Sequence, residues 1–81
     1  MIHARKDYAR IQDPFCAIPA DEPVFLIRGQ DAIGALAVRE WARLNLETGG
    51  SAELSAAAIE HAELMDAWPK KKHADAPPGT L

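Results

Sequence analysis

The sequence has little cysteine, few aromatic side chains and no long apolar run. Cys16 is the single cysteine among 81 residues, which excludes an intrachain disulfide and favours a reducing compartment. The longest apolar run, residues 24–27, is far shorter than the roughly 20 residues that span a bilayer. Residues 1–18 carry charges before any apolar run, so no signal peptide is predicted. These features predict a soluble, cytoplasmic protein.

Catalytic and metal-binding motifs are also scarce. The three histidines, His3, His61 and His73, lie in separate stretches with no cysteine or histidine at ligand spacing, so neither a metal nor a cofactor is predicted. No glycine-rich phosphate loop and no nucleophile elbow is present. The net charge of −3 argues against a partner made of polymeric nucleic acid. The sequence therefore predicts a binding protein and not an enzyme.

The patterns that are present predict an α+β fold, mostly α, in a single small domain over residues 1–69. An extended N-terminal segment with prolines at 14, 19 and 23 precedes one short, buried β-strand at about 23–28. Two helices, at about 32–48 and 52–68, should form an antiparallel hairpin around Gly49-Gly50, with Asp31 and Ser51 as their N-caps. Residues 70–81 are polar and are predicted to be a disordered tail, with Lys70, Lys71 and Lys72 near the carboxyl end of the second helix.

The helical period also predicts which side chains fill the hairpin core. One apolar stripe occurs on each helix, and both are expected to face inwards. Alanine makes up much of both helices, so this core should be thin. The predicted core residues are Ile33, Leu36, Ala37, Trp41 and Leu44 on the first helix, and Leu54, Ala57, Ala58, His61, Met65 and Trp68 on the second.

The single strand predicts association of the chain with itself. A buried strand must pair its backbone N–H and C=O groups, and residues 24–27 have no obvious mate in the sequence beyond a weak N-terminal edge. A second copy related by two-fold symmetry could provide that mate. A homo-oligomer, dimeric or larger, is therefore expected.

Two clusters of residues are candidates for ligand binding. Arg28, Gln30 and Asp31 lie where the strand meets the first helix, a favourable position for a ligand. Arg28 offers a planar fork for phosphate or carboxylate, and Gln30 offers both a donor and an acceptor. The alternative is that Asp31 only caps the helix, Gln30 is solvated and Arg28 pairs with Asp31 or a loop carboxylate.

The second cluster is N-terminal and combines cations with an aromatic ring. Arg5, Lys6 and Arg10 could hold phosphates, and the ring of Tyr8 could stack on a base. The alternative is a solvated terminus. Both clusters together predict a small anionic ligand.

The motif DEPVFLIRGQD at residues 21–31, with RKDYxRIQDP before it and GGSxELS after it, resembles a group of small proteins encoded by bacteriophages and prophages. The resemblance runs from about residue 5 to residue 68. Several phage families of this size are oligomeric nucleotide sponges that sequester the cyclic signals of bacterial immunity, as in evasion of CBASS or Thoeris. The resemblance implies such an anti-defence protein, acting without cleavage in the host cytoplasm. Two alternatives stay open: an anti-CRISPR-like inhibitor or adaptor that binds a host protein, and a structural or DNA-binding accessory.

Overall fold

Two helices form most of the regular secondary structure in this computed structural model. Helix α1 spans Gly34–Glu47 and helix α2 spans Ala52–Ala67. Gly49 ends α1 with a φ of 87°, a conformation that glycine adopts without strain. The Ser51 side chain then starts α2 by accepting a hydrogen bond of 3.1 Å from the Leu54 N–H. The predicted helical hairpin is confirmed, with helix ends within about two residues of those expected.

The structure describes residues 1–8 and 13–81, and it divides the chain into two compact units. The first unit comprises Met1–Leu26 with Asp75–Leu81, and the second comprises Ile27–Ala74. The hairpin and the loop that precedes it belong entirely to the second unit. Among the described residues, no helix is long and apolar enough to cross a membrane.

Contrary to the prediction, Asp31 caps the turn that precedes α1 and does not cap α1 itself. Its carboxylate accepts a hydrogen bond of 3.0 Å from the Ile33 N–H, and its backbone carbonyl accepts one of 3.0 Å from Gly34. Because these bonds close a turn over Ala32 and Ile33, helix α1 begins at Gly34. Asp31 therefore fixes how the chain enters the helix.

The hairpin core is built from small side chains, and the apolar stripe predicted for α1 is wrong. Ala42 and Ala62 are fully buried, whereas the five predicted α1 residues are all exposed. Small residues at the crossing let the two backbones approach closely, which large side chains would prevent. Of the predicted α2 stripe, Met65 is buried and Ala58 is half-buried, but Leu54, His61 and Trp68 are exposed. The inner stripes are Ala35, Val38, Ala42 and Asn45 on α1, and Ser55, Ala58, Ala62 and Met65 on α2.

A buried polar contact joins the two helices. The Ser55 side chain is 1% exposed, and its hydroxyl donates a hydrogen bond of 3.0 Å to the Ala42 carbonyl. The Asn45 amide donates to the Ser55 hydroxyl at 2.8 Å and to the Ser51 carbonyl at 3.0 Å. Since the buried Ser55 hydroxyl has both an acceptor and a donor as partners, the contact holds the two helices in register.

The strand prediction is corrected in both length and pairing. Strand β2 covers only Pro23–Val24, and it pairs in parallel with strand β1, Ile2–His3, of the same chain. Residues 25–28 are not strand, because Ile27 packs against the hairpin core of Ala35, Ala62 and Met65 instead. Pro23–Val24 therefore has its mate in the same chain, and the homo-oligomer stays a prediction.

The C-terminal residues make backbone contacts within each unit. In the second unit the Lys72 N–H donates a hydrogen bond of 2.9 Å to the Gln30 carbonyl. The Lys72 carbonyl accepts a hydrogen bond of 2.7 Å from the Ala32 N–H. In the first unit the Lys6 N–H donates 2.8 Å to the Thr80 carbonyl. The predicted disorder of residues 70–81, and the domain boundary at residue 69, stay predictions.

Candidate functional site

An open cleft lies between the loop that precedes α1 and the outer side of α2. Its volume is about 290 Å³, close to the lower end of the range for small-molecule sites. All of its lining residues belong to the second unit, so one folded unit provides the whole site. They are Arg28, Gly29, Gln30, His61, Leu64, Met65 and Trp68.

The loop that lines the cleft is held against α2 both by packing and by hydrogen bonds. A Cβ built on Gly29 would lie 3.6 Å from both the Met65 backbone and the Trp68 side chain, so the loop packs directly on α2. The Lys71 ammonium donates a hydrogen bond of 2.7 Å to the Gly29 carbonyl and another to the Met65 carbonyl. These bonds tie the loop to the end of α2 and preorganise the cleft. The bond to the Met65 carbonyl places Lys71 at the carboxyl end of this helix, as predicted for that lysine.

Arg28 differs from the other described arginines in its surroundings. Arg5, Arg39 and Arg43 each form an ion pair with a carboxylate. Arg28 is exposed, and no ion pair or hydrogen bond with a described residue engages its guanidinium. Asp31, the partner considered for Arg28 from the sequence, instead uses its carboxylate on the Ile33 N–H. The fork of Arg28 is therefore available to an anion at the edge of the cleft.

The rest of the cleft combines an apolar wall with polar groups. Trp68, 53% exposed, offers an indole ring, and Leu64 and Met65 extend the apolar surface. Gln30 is half-buried and offers an amide donor and acceptor, and His61 adds an imidazole. This arrangement can hold a flat ring against the apolar wall while an anionic group lies near Arg28.

The N-terminal candidates form a separate cluster in which the cation is already engaged. Arg5 donates to both carboxylate oxygens of Asp7, at 3.0 and 2.5 Å, and to the Asp75 carbonyl at 2.6 Å. Its guanidinium also lies 4.2 Å from the centre of the Tyr8 ring. The hydrogen bonds to Asp7 raise the pKa of Arg5. A phosphate would therefore have to displace Asp7.

The remaining N-terminal candidates do not share one cleft. Lys6 is exposed in a 3-10 turn over Lys6–Tyr8. Arg5 and Tyr8 line a cavity of only about 20 Å³ with His3 and Phe25, and Lys6 is not among its lining residues. Arg10 lies outside the described residues. The structure thus brings Arg28 and Gln30 together in the second unit and leaves Arg5, Lys6 and Tyr8 in the first.

Five cleft residues were not among the predicted site residues: Gly29, His61, Leu64, Met65 and Trp68. His61, Leu64 and Trp68 lie at positions i, i+3 and i+7 on the outer side of α2. His61 and Trp68 were predicted to lie in the hairpin core because their spacing also fits an inward stripe. The alanines and Ser55 that fill the core were the signal that α2 packs through a neighbouring face.

Neither similarity to known proteins nor a metal-binding group assigns a function to the described residues. No protein-family model matches the sequence, and no curated protein or solved structure matches it. Within residues 1–8 and 13–81, no group of three or more histidine, cysteine, aspartate or glutamate side chains could hold a metal ion. The resemblance to small phage proteins therefore stays a prediction.

Proposed function

We propose that the protein binds an anionic nucleotide in the cleft between the Arg28–Gln30 loop and helix α2, and holds it without cleaving it. The single observation that supports this most directly is Arg28, whose guanidinium has no partner among the described residues and stands at the edge of a cleft walled by Trp68. A phosphate accepts the two parallel hydrogen bonds of a guanidinium fork with good geometry.

The base of the nucleotide would occupy the apolar side of the cleft. Stacking of a base on an aromatic side chain contributes about 1–3 kcal/mol, and Trp68 presents such a ring. The half-buried amide of Gln30 can both donate to and accept from a base edge. Nucleotide chemistry, a charged group beside a flat polar ring, thus fits this lining better than a purely apolar ligand does.

Retention without cleavage is the mode of action that the lining favours. Among the described residues that line the cleft, His61 is a possible acid or base, but neither a carboxylate nor a hydroxyl or thiol nucleophile accompanies it. A hydrolytic site requires such groups within hydrogen-bonding distance of one another. Binding alone requires only the contacts described above.

The biological role follows from the resemblance stated above and is part of the proposal. A small phage protein that retains a cyclic nucleotide would deprive a bacterial immune system of its signal. The volume of about 290 Å³ suits one nucleotide unit, so a cyclic dinucleotide would extend beyond a single cleft. A homo-oligomer with clefts facing one another would hold both halves.

A second candidate function is inhibition of a host protein. Large apolar side chains on the outer face of α1, among them Leu36, Trp41 and Leu44, are exposed. Exposed apolar groups of this kind are typical of protein-binding surfaces. Co-purification of a host protein that is lost on substituting Trp41, with nucleotide binding absent, would favour this candidate.

Isothermal titration calorimetry of the full chain with cyclic dinucleotides and cyclic ADP-ribose isomers tests nucleotide binding. We expect one class of ligand to bind and to be recovered intact by chromatography. Arg28→Ala should weaken binding by about 10-fold or more, because it removes a charge-assisted contact. Trp68→Ala should weaken it by about 10-fold, because a stacking surface is lost.

The matched control is Arg43→Ala, which removes an arginine of the same unit that is held by Glu40 and Glu47. This variant should bind like the unchanged protein. If no member of the panel binds, or if Arg28→Ala binds as tightly as Arg43→Ala, the proposed function is wrong.

A further inference from the structure

The loop that lines the cleft contains a turn whose two central backbone N–H groups are unpaired. The Asp31 N–H donates a hydrogen bond of 3.0 Å to the Arg28 carbonyl, and this bond closes the turn over Gly29 and Gln30. Neither central residue has a positive φ, so the turn is of type I, with helix-like angles at both positions. The N–H groups of Gly29 and Gln30 therefore point in similar directions, and within the described part of the chain neither has an acceptor.

We propose that this turn holds the phosphate of the ligand, with the backbone N–H groups of Gly29 and Gln30 and the guanidinium of Arg28 as donors. The assignment deepens the proposed function and rests on the same cleft, which all three residues line. Successive backbone N–H groups in a turn form a concave site for an anion. A phosphate has enough oxygens to accept from the two N–H groups and from the guanidinium fork together.

The polarity of the turn favours an anion. Each of its first three carbonyls has a donor inside the protein, whereas the two central N–H groups have no acceptor there. The donors are the Asp31 N–H for the Arg28 carbonyl, the Lys71 ammonium for the Gly29 carbonyl, and the Lys72 N–H, at 2.9 Å, for the Gln30 carbonyl. The carboxylate of Asp31, the acidic group nearest in sequence, accepts a backbone hydrogen bond of 3.0 Å beyond the turn. The groups left for a ligand are therefore donors.

Lys71 supports the turn without touching the phosphate. Its ammonium donates a hydrogen bond of 2.7 Å to the Gly29 carbonyl. That carbonyl belongs to the same trans peptide group as the Gln30 N–H, so the two point in opposite directions. A charge-assisted bond to the carbonyl polarises the peptide group and makes its N–H a stronger donor. Lys71 is therefore a positioning residue for the phosphate.

Inorganic phosphate tests the turn without any nucleotide. In an amide-resolved NMR titration of the full chain, we expect the amide protons of Gly29 and Gln30 to move downfield together and to saturate in the millimolar range. The amides of Lys6–Tyr8 should move less. If the Gly29 and Gln30 amides stay in place, or if Lys6–Tyr8 respond more strongly, the proposal is overturned.

Substitution of Lys71 tests how the turn is held. Lys71→Met should weaken phosphate binding by about 10-fold, because the Gly29 carbonyl loses its charge-assisted bond. Lys71→Arg should restore most of the binding, since a guanidinium can donate to both carbonyls that Lys71 engages. The amide signals of α1 and α2 should stay in place in both variants, which separates an effect on the turn from unfolding.

Lys70→Met is the matched control, because it removes the same charge one residue away. Lys70 is exposed, and its ammonium contacts no residue in the part of the chain that the structure describes. This variant should change the dissociation constant of phosphate by less than about 2-fold, since an exposed charge is screened by salt. Equal weakening in Lys70→Met and Lys71→Met would contradict the role of Lys71. If Lys71→Met unfolds, the Gly29 and Gln30 shifts of the unchanged protein still decide the proposal.

The phosphate assignment and the proposed function fail in different ways. Phosphate binding at the turn, with no nucleotide of the panel bound, would contradict only the proposed function. Nucleotide binding that leaves the Gly29 and Gln30 amides in place would contradict only the phosphate assignment.

Discussion

Arginines in this protein differ in what surrounds the charge. Arg43 donates to Glu40 and Glu47, and its hydrogen bond to Glu40 lowers the pKa of that carboxyl. These pairs lie on the exposed surface of α1, where ion pairs contribute little to stability. Arg28 has no such partner among the described residues and stands at the cleft instead. Arg43 therefore forms ion pairs on the surface of α1, whereas Arg28 remains available for binding at the cleft.

Gly34 allows a close approach between the cleft loop and the hairpin. A Cβ at this position would lie 2.9 Å from the Arg28 carbonyl oxygen and 3.0 Å from the Met65 methyl group. Gly34→Ala should therefore lower the free energy of unfolding by about 1–2 kcal/mol, because the clash outweighs the gain in helix propensity. It should also weaken nucleotide binding by moving the Arg28 backbone.

Thermal denaturation, monitored by circular dichroism, measures the change in the free energy of unfolding of the Gly34→Ala variant. Gly29→Ala is the control, because the nearest atoms to its Cβ lie at ordinary contact distance, 3.6 Å. This control should change the free energy of unfolding by less than about 1 kcal/mol. Equal stability of the Gly34→Ala variant and the unchanged protein would contradict the close approach described here.

Sequence reasoning found part of the cleft and missed part of it. Arg28 and Gln30 were predicted because a basic fork and an amide beside a helix start are recognisable in the sequence. His61 and Trp68 were assigned to the core because a tryptophan in an apolar stripe resembles packing material. Their true position depends on which face of α2 meets α1, and that choice is made by tertiary packing.

At the scale of the elements, the turn chemistry was predictable and the helix faces were not. Gly49 and Ser51 indicate the end of one helix and the start of the next, and both act as expected. The packing face of each helix was predicted wrongly because alanine and serine are small and do not stand out in a pattern of large apolar side chains. They nevertheless decide how closely two backbones can approach, as the bond from Ser55 to the Ala42 carbonyl shows.

The short strands could not be predicted for a related reason. Ile2–His3 is too brief to display a period of two, so the sequence gives no signal of a mate. Pro23 begins β2 and has no N–H to donate, which keeps that strand short. The parallel pairing is a product of how the first unit folds.

Ser51 provides a test of the hairpin as an element. Ser51→Ala should lower the free energy of unfolding by about 1 kcal/mol, because the Leu54 N–H loses its side-chain acceptor. Ser51→Asp should retain most of the stability, since its carboxylate can accept the same bond. Urea denaturation measures both variants, and a Ser51→Ala variant as stable as Ser51→Asp would contradict the role of Ser51 as cap.

At the scale of the whole molecule, the chain combines a thin core with many exposed apolar side chains. Ala35, Ala42, Ala62 and Met65 form the buried apolar set among the described residues. A core of this size gives marginal stability. Ligand binding and pairing of copies would each stabilise the folded state by mass action, so stability should rise with the concentration of ligand and of protein.

The most direct measurement of the central claim is an amide-resolved NMR titration of the full chain with the tightest-binding nucleotide of the panel. We predict that the amides of Gly29 and Gln30 and the indole N–H of Trp68 shift together, while the amides of Lys6–Tyr8 change little. Shifts confined to Lys6–Tyr8, or saturating binding that leaves the Gln30 and Trp68 signals unmoved, would contradict the assignment of the cleft as the binding site.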